Sequence, residues 1–494
     1  MLRLGDLDDI ETLRRAALLL EAENKKLVQL IAKLRQELHT LKGGDPEQLS
    51  LQIAELEEQL AQRNRMLFGD KSEKRAQNPK PAKASTQRGH GPRSQLELKV
   101  IEQVHVLDAA DHACPKCGGE LQEWLGQFEE SEEIDILERQ FVLKKHKRTK
   151  YRCRCGECIE TALGPIKLFP GARYSVDFAV SVALGKYADH LPLERQVRMM
   201  ARDGLTIDSQ TLWDQIERLA RVLDPAYERL PSYLMTLPVL GADETYWRLM
   251  AGKDARGSPT KRWQVWTLAG SDAVYYRIQA SRSTEAARNV LGDFRGTVLC
   301  DGYAAYERLA KEQPGLRISH CWAHVRRKFV EIEEAFPTPA REILDLIGEL
   351  YAVEALCPSG RAGDEMRLAL RQEQSRPIVK RIEQWALDTR ALPQGGLGKA
   401  VAYMGGMWPG LLVFLDDPAV PVDNNATERA LRGVVLGRKN HYGSRSQRGT
   451  EVAALFYSLI ESAKLVGLGP HTYLRTAAYS ALRGTVPPLP HEMV

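Results

Sequence analysis

Leu20, Asn24, Leu27, Ile31, Leu34, Leu38 and Leu41 recur at alternating gaps of four and three, the spacing of a and d positions on one helical stripe. This predicts a coiled-coil seam, with Asn24 at an a position favouring a parallel register with its counterpart in a second chain. Gly43, Gly44, Asp45 and Pro46 break the stripe, and Leu49, Ile53, Leu56 and Leu60 resume it. A second helix therefore either continues the first or folds back on it; an amphipathic helix packed on its own protein is the alternative to a seam. From Gly69 to Gln95 apolar positions thin out among Lys, Arg, Pro, Gly, Ser and Gln, the pattern of an extended basic tether.

Residues 175–230 read as helices, and Leu193 to Gly204 followed by Asp208 to Arg218 has the helix, glycine turn, helix order of a helix-turn-helix. Ser209 to Trp213 would open the recognition helix, although plain helical hairpins share this pattern. From Leu237 the period changes to that of strands: Pro238 to Met250, Arg262 to Leu268, and Ala273 to Ile278. A helix from Ser283 to Leu291 then leads into a short buried strand, Gly296 to Cys300, ending at Asp301. That order is the one of a ribonuclease-H-like sheet. The expected fold is multidomain α+β: a coiled coil (1–68), a basic flexible linker (69–100), a cysteine-rich zinc-binding module (101–160), a helix-turn-helix-like region (161–232), a ribonuclease-H-like catalytic domain (233–450) and a C-terminal helical region (451–494). A helical insertion is expected at about 337–409.

Composition adds bounds. A chain of 494 residues exceeds one ordinary core, and a net charge of +4 is too small to identify a nucleic-acid binder, so the placing of basic residues matters more. The acidic start MLRLGDLDDIETLRR is unlike a secretory signal, and no apolar run is long enough for a bilayer, which predicts a cytoplasmic protein without a membrane partner. Five of eight cysteines crowd between Cys114 and Cys158. In a reducing compartment such pairs supply a tetrahedral structural Zn2+ site. Cys114, Cys117 and Cys158 are ligand candidates, with Cys155 and Cys153 competing for the fourth place.

Asp243 on the first strand and Asp301 at the end of the fourth become neighbours in such a sheet, so two carboxylates converge. Oxygen ligands of this kind suit Mg2+ or Mn2+, and a pair of ions serves an in-line phosphoryl displacement. Glu428 is the candidate third ligand, against a rival reading in which Asn425 is an N-cap and Glu428 its reciprocal partner in a capping box. Arg429, Arg432, Arg438, Lys439, His441, Arg445 and Arg448 surround the glutamate with groups suited to phosphate, while Asp416, Asp417 and Asp423 fall in expected loop. Trp266 and Tyr442 belong either near DNA or in the core. Cys321 and His324 have a metal-like gap, but two ligands do not make a site; His324, Arg326 and Arg327 can instead position a phosphate near Asp301.

Several long motifs stand in order along the chain: LFGDKSEK (67–74), the cysteine module, HLPLERQ (190–196), ADET (242–245), DGYAAY (301–306), CWAHVRR (321–327) and DNNATERALR (423–432). On these the chain resembles the DDE transposases of the insertion-sequence-sixty-six group, over almost its whole length. The resemblance implies that Asp243, Asp301 and Glu428 form a catalytic triad holding two Mg2+ (or Mn2+) ions. It implies binding of element ends and target DNA, strand cleavage and strand transfer, and accessory proteins from the same element. A homodimer or higher oligomer would form through the coiled coil. The alternatives are an inactive DNA-binding regulator of the same fold and a nuclease that does not join ends. The crowded Cys153 and Cys155 depart from the two-plus-two cysteine pattern of the group.

Overall fold

The computed structural model describes residues 140–152, 159–250, 262–357 and 360–494, together with 26, 28–34, 53, 56, 57 and 116. Most of the coiled-coil, linker and zinc-module expectations, including Cys114, Cys117, Cys153, Cys155 and Cys158, lie outside the described residues. Contacts divide the chain into two units, Met1–Gly69 with Gln140–Val494, and Asp70–Arg139; of the second only Lys116 is described. In the first, residues 28–34 are helical, with Ile31 at 6% and Ile53 at 8% exposure within the single chain.

Strands β1 (Lys150–Arg152) and β2 (Ile159–Thr161) pair antiparallel across the stretch that carries Cys153, Cys155 and Cys158. The main sheet has five strands: β3 (Val239–Arg248), β4 (Arg262–Ala269), β5 (Val274–Gln279), β6 (Gly296–Cys300) and β7 (Leu316–His320), in the spatial order β5-β4-β3-β6-β7. The first three form an antiparallel meander, and β6 and β7 add in parallel. Parallel addition requires crossovers. Helices α4 (Thr284–Leu291) and α5 (Ala304–Glu312) supply them.

Ahead of the sheet come α1 (Val176–Tyr187), α2 (Leu193–Arg202) and α3 (Ser209–Leu234); beyond it come α6 (Trp322–Ile332), α7 (Pro337–Glu354), α8 (Asp364–Leu370), α9 (Arg376–Asp388), α10 (Gly396–Gly406), α11 (Trp408–Leu411), α12 (Val413–Asp416), α13 (Asn425–His441), α14 (Gln447–Leu465) and α15 (Pro470–Leu482). The apolar stripes of α1, α3, α14 and α15 merge with the sheet in one continuous core. The boundary expected near 232 therefore separates no two cores, and the C-terminal helices belong to the same body. A second core gathers Trp322 to Val422, so the helical insertion is somewhat larger than the expected 337–409 and takes in α6.

An open sheet edge presents unpaired amides. At β5 they are taken by α14: Ser462 Oγ accepts from Val274 N at 2.8 Å and Ser458 Oγ from Tyr276 N at 2.9 Å. The two serines are one helical turn apart, matching the two-residue repeat of outward amides on a strand. Among the described residues no single helix is long and apolar enough to cross a membrane.

Candidate active site

The parallel register of β3 and β6 pairs Val239 with Thr297, Leu240 with Val298 and Gly241 with Leu299. Continued by two residues, it aligns Asp243 with Asp301. In β4 and β5, Asp243 lies opposite Thr267, and Thr267 opposite Tyr276, whose hydroxyl donates to Ala430 O of α13 at 2.8 Å. Asp243 therefore lies on the side of the sheet covered by α13, the helix whose first turn carries Glu428. Asp301 Oδ1 accepts from Tyr303 N at 3.0 Å, and Tyr403 OH donates to the Asp301 carbonyl at 3.1 Å, so both ends of this short turn are tied.

Helix α13 is fixed against the strands by Asn424, the residue before it. Asn424 Nδ2 donates to Ala242 O at 2.9 Å, one residue from Asp243, and Asn424 N donates to Cys321 Sγ at 3.2 Å. Gly241 makes this approach possible, since a Cβ there would stand 2.0 Å from Thr427 Oγ1 and 2.6 Å from Asn424 Oδ1. Asn424 occupies the N-cap without a side-chain capping bond, and Asn425 is the first helical residue. The capping box from Asn425 to Glu428 is not made. Asp423 instead receives Asn425 N at 3.1 Å and Asn425 Nδ2 at 2.6 Å. The other rivals are engaged too: Asp416 pairs with Arg376, and Asp417 with Arg317.

Glu428 faces His324 Nε2 at 3.5 Å and Arg327 Nη2 at 3.7 Å, both from α6. Its Oε1 is buried with no hydrogen-bond donor. Burial, and then the charges of Asp301, Glu244 and Glu428, push the Asp243 carboxyl up to about 7, against the lowering effect of the Glu244 amide that donates to it at 2.8 Å. An all-oxygen donor set, with mutually repelling carboxylates and one orphaned oxygen, suits a hard divalent cation. Among the described residues no three His, Cys, Asp or Glu side chains already close around one point, so the carboxylates approach without enclosing an ion. Among the described residues no third ligand joins Cys321 and His324; burial raises the Cys321 thiol to about 11, and it accepts the Asn424 and His324 amides.

The residue that sequence reasoning missed is Glu244. Its side chain is 1% exposed and paired with Arg282, whose Nε stands at 2.8 Å, and Tyr306 OH donates to it at 3.1 Å. The Arg282 guanidinium, itself exposed, lies 4.0 Å from the Tyr303 ring centre, so one ion pair links the neighbour of Asp243 to the turn that holds Asp301. The signal was an acidic residue beside Asp243, on the opposite face of the strand by the two-residue period.

The basic residues divide. Arg429, Arg432, Lys439 and Arg445 are exposed, the first three on one stripe of α13. Arg438 is turned inward, donating to Thr245 Oγ1 at 3.0 Å and stacked 3.6 Å over Tyr246. Arg448 is held by Glu217, Asp224 and Glu451. His441 is buried, and desolvation together with nearby Lys186 pushes it down to about 3, so it is neutral and supplies no charge for phosphate. Arg326 is half-buried on α6. Trp266 is core, edge-on to Tyr306, whereas Tyr442 is exposed. In the stretch expected to form a helix-turn-helix, Asp208 caps α3 through Thr211 N at 2.7 Å, Ser209 donates to Glu194, and α3 runs on through Pro225 and Pro231 into the main core.

A family model described as Transposase IS66 family matches residues 171–452. A second, described as zinc-finger binding domain of transposase IS66, matches residues 111–156, which span Cys114, Cys117, Cys153 and Cys155 and stop before Cys158. The chain is 33% identical over 485 residues to uncharacterized protein y4jD of Sinorhizobium fredii (strain NBRC 101917 / NGR234), across 94% of this chain and 91% of the relative. Uncharacterized protein y4hP of the same organism is 27% identical over 403 residues, across 76% and 71%. Among solved structures, the Drosophila P element transposase strand transfer complex aligns with a TM-score of 0.31 and 10% identity, over 58% of this chain and 92% of that one. A likeness that shallow carries no argument.

Proposed function

The chain belongs to the IS66 transposase family, and from that premise we propose that it is a DDE-type transposase that binds the ends of its element and catalyses metal-dependent strand cleavage and strand transfer. The observation that carries this reading is the approach of Asp243, Asp301 and Glu428, from β3, the end of β6 and α13, to one side of one sheet. The strand order, a three-stranded meander extended by two parallel strands, supports a ribonuclease-H-like catalytic domain.

Held by these three carboxylates, Mg2+ or Mn2+, two per site, would supply positive charge for the attacking and leaving oxygens of a phosphoryl transfer. The chain's own part is positional. Asn424 and Gly241 set the helix that carries Glu428 against the strand of Asp243. Tyr303 N holds the Asp301 carboxylate, Arg327 offsets the charge of Glu428, and His324 and Arg327 stand where a scissile phosphate would approach it. Arg429, Arg432, Lys439 and Arg445 offer a cationic track for the backbone leading away from the carboxylates, with Arg326 on the α6 side. Helices α2 and α3 in the helix-turn-helix stretch are a second DNA-facing element, and Cys114, Cys117 and Cys158, with Cys155 or Cys153, hold a structural Zn2+.

The test compares Asp243→Asn, Asp301→Asn and Glu428→Gln with the native protein for binding of labelled element ends and for Mg2+-dependent joining. All three variants should bind ends and join none, because each neutral amide withdraws a charge from the site. Near-native joining by Glu428→Gln would remove that residue from the triad. Native protein that cuts without joining is a nuclease, and one that binds without cutting is a regulator.

A further inference from the structure

Helix α13 ends at Tyr442, whose φ of 62° and ψ of 0° lie in the left-handed region. Glycine or asparagine normally closes a helix in this way, because a Cβ is crowded there and a bulky side chain is strained. The strain is not repaid by burial: Tyr442 is 61% exposed, and its ring and hydroxyl have no partner among the described residues. A strained residue persists where its surroundings enforce it, and such positions gather at functional surfaces.

The mount beneath this side chain is rigid. Gly443 follows at φ 111°, where a Cβ would stand 2.1 Å from Arg248 O. Ser444 N donates to Arg248 O at 2.9 Å, Met250 N donates to Ser444 O at 2.9 Å, and Trp247 Nε1 donates to Ser444 Oγ at 3.1 Å. The segment after Tyr442 is thus bound as an added bridge to the end of β3, the strand of Asp243. Exposed Lys439 and Arg445 flank the ring in sequence, and neither has an acidic partner among the described residues. A flat, solvated aromatic face between cations fits an anionic polymer that carries flat faces of its own.

We propose that Tyr442 is a stacking platform for an unpaired base of a DNA strand laid along α13, a reading that rests on the DNA function proposed above. The fourteen residue steps from Glu428 to Tyr442 rise about 21 Å along the helix. For a strand that stays stacked as in a duplex up to that point, at about 3.4 Å per nucleotide, this puts the platform roughly six nucleotides from the phosphate at the carboxylates. A paired, stacked base has no free face to offer at that point, so the platform selects a strand that is opened there.

The test uses Tyr442→Gly, Tyr442→Phe and Lys439→Ala in the full-length protein without Mg2+, titrated with a mixed-sequence single-stranded oligonucleotide and with the same sequence as a duplex, over a salt series. Glycine relieves the strained backbone, so Tyr442→Gly should melt no lower than native, and misfolding cannot explain its loss. Its affinity for the single strand should fall roughly 5- to 150-fold, the worth of one base on one ring, with the salt slope unchanged and duplex binding nearly so. Tyr442→Phe should bind as native, and Lys439→Ala should flatten the salt slope. Native-like single-strand binding by Tyr442→Gly, or a loss in Tyr442→Phe equal to that in Tyr442→Gly, would overturn the platform while leaving the DNA reading intact. Failure of the native protein to bind either DNA would overturn both.

Discussion

In the metal-free protein burial and three neighbouring carboxylates push the Asp243 carboxyl up to about 7. In an unfolded chain the same group titrates near about 3.9. Between those values the unfolded state releases a proton that the folded state retains, so this group's contribution to stability falls as pH rises from about 4 to 7 and is level above. Asp243→Asn removes the dependence. Its melting temperature without Mg2+ should exceed that of native protein by a margin that grows across this range and then stays constant, while joining activity is lost. Added Mg2+ should raise the native midpoint and leave the variant unmoved; an equal rise in both would show that Asp243 holds no ion. Asp243 and Asp301 were legible as neighbours because their places in the strand order agree, whereas Glu428 stood out only by its basic surroundings and the family resemblance. Glu244 was not legible, since its Arg282 partner is supplied from beyond β5 and leaves no local spacing to read. His441 looked like a cation in a basic run, and only burial shows it to be neutral.

The contact that sets α13 on β3 is the element on which the site depends. Gly241→Ala should cost about 1–3 kcal/mol through the clash with Thr427 and Asn424, and should abolish joining by displacing Glu428. Adding Thr427→Ala should restore part of the thermal stability, which a melting comparison of single and double variants would read. In the insertion, Arg371 is buried, with two bonds of 2.7 Å to Glu354 and donations to Phe414 O and Asp417 O. Arg371→Met strands Glu354 and should cost about 3–5 kcal/mol by urea unfolding, less when combined with Glu354→Gln. The strand and helix order from β3 to β6 was readable from the change of hydrophobic period. The choice between two adjacent asparagines as cap was not, because a tertiary bond from Asn424 to Ala242 decides it. Nor did the pattern reveal that α3, entered as a hairpin helix, continues into the main core.

At the scale of the whole molecule the described chain has two cores, one around the sheet and one in the insertion, with the cysteine region matched by its own family model. Cys114→Ser should release zinc, measured by metal analysis, and weaken end binding while leaving the thermal transition of the sheet core in place. Native protein without zinc would end that reading. Sequence placed this module by its thiolate pairs, but which residue completes it depends on a loop geometry that spacing does not encode. One connection has a consequence for how relatives are recognised. The insertion leaves the sheet at Cys321 and Trp322 and returns at Val422 and Asn424, and the two ends are bonded directly, Trp322 N to Val422 O and Asn424 N to Cys321 Sγ, each at 3.2 Å. Whatever is spliced between these joined ends, the third carboxylate returns to the same place. Lineages can lengthen or shorten that segment at little risk to the chemistry, so a search profile demanding a fixed gap between Asp301 and Glu428 will lose genuine kin, while one anchored on the two sides of the joint will keep them.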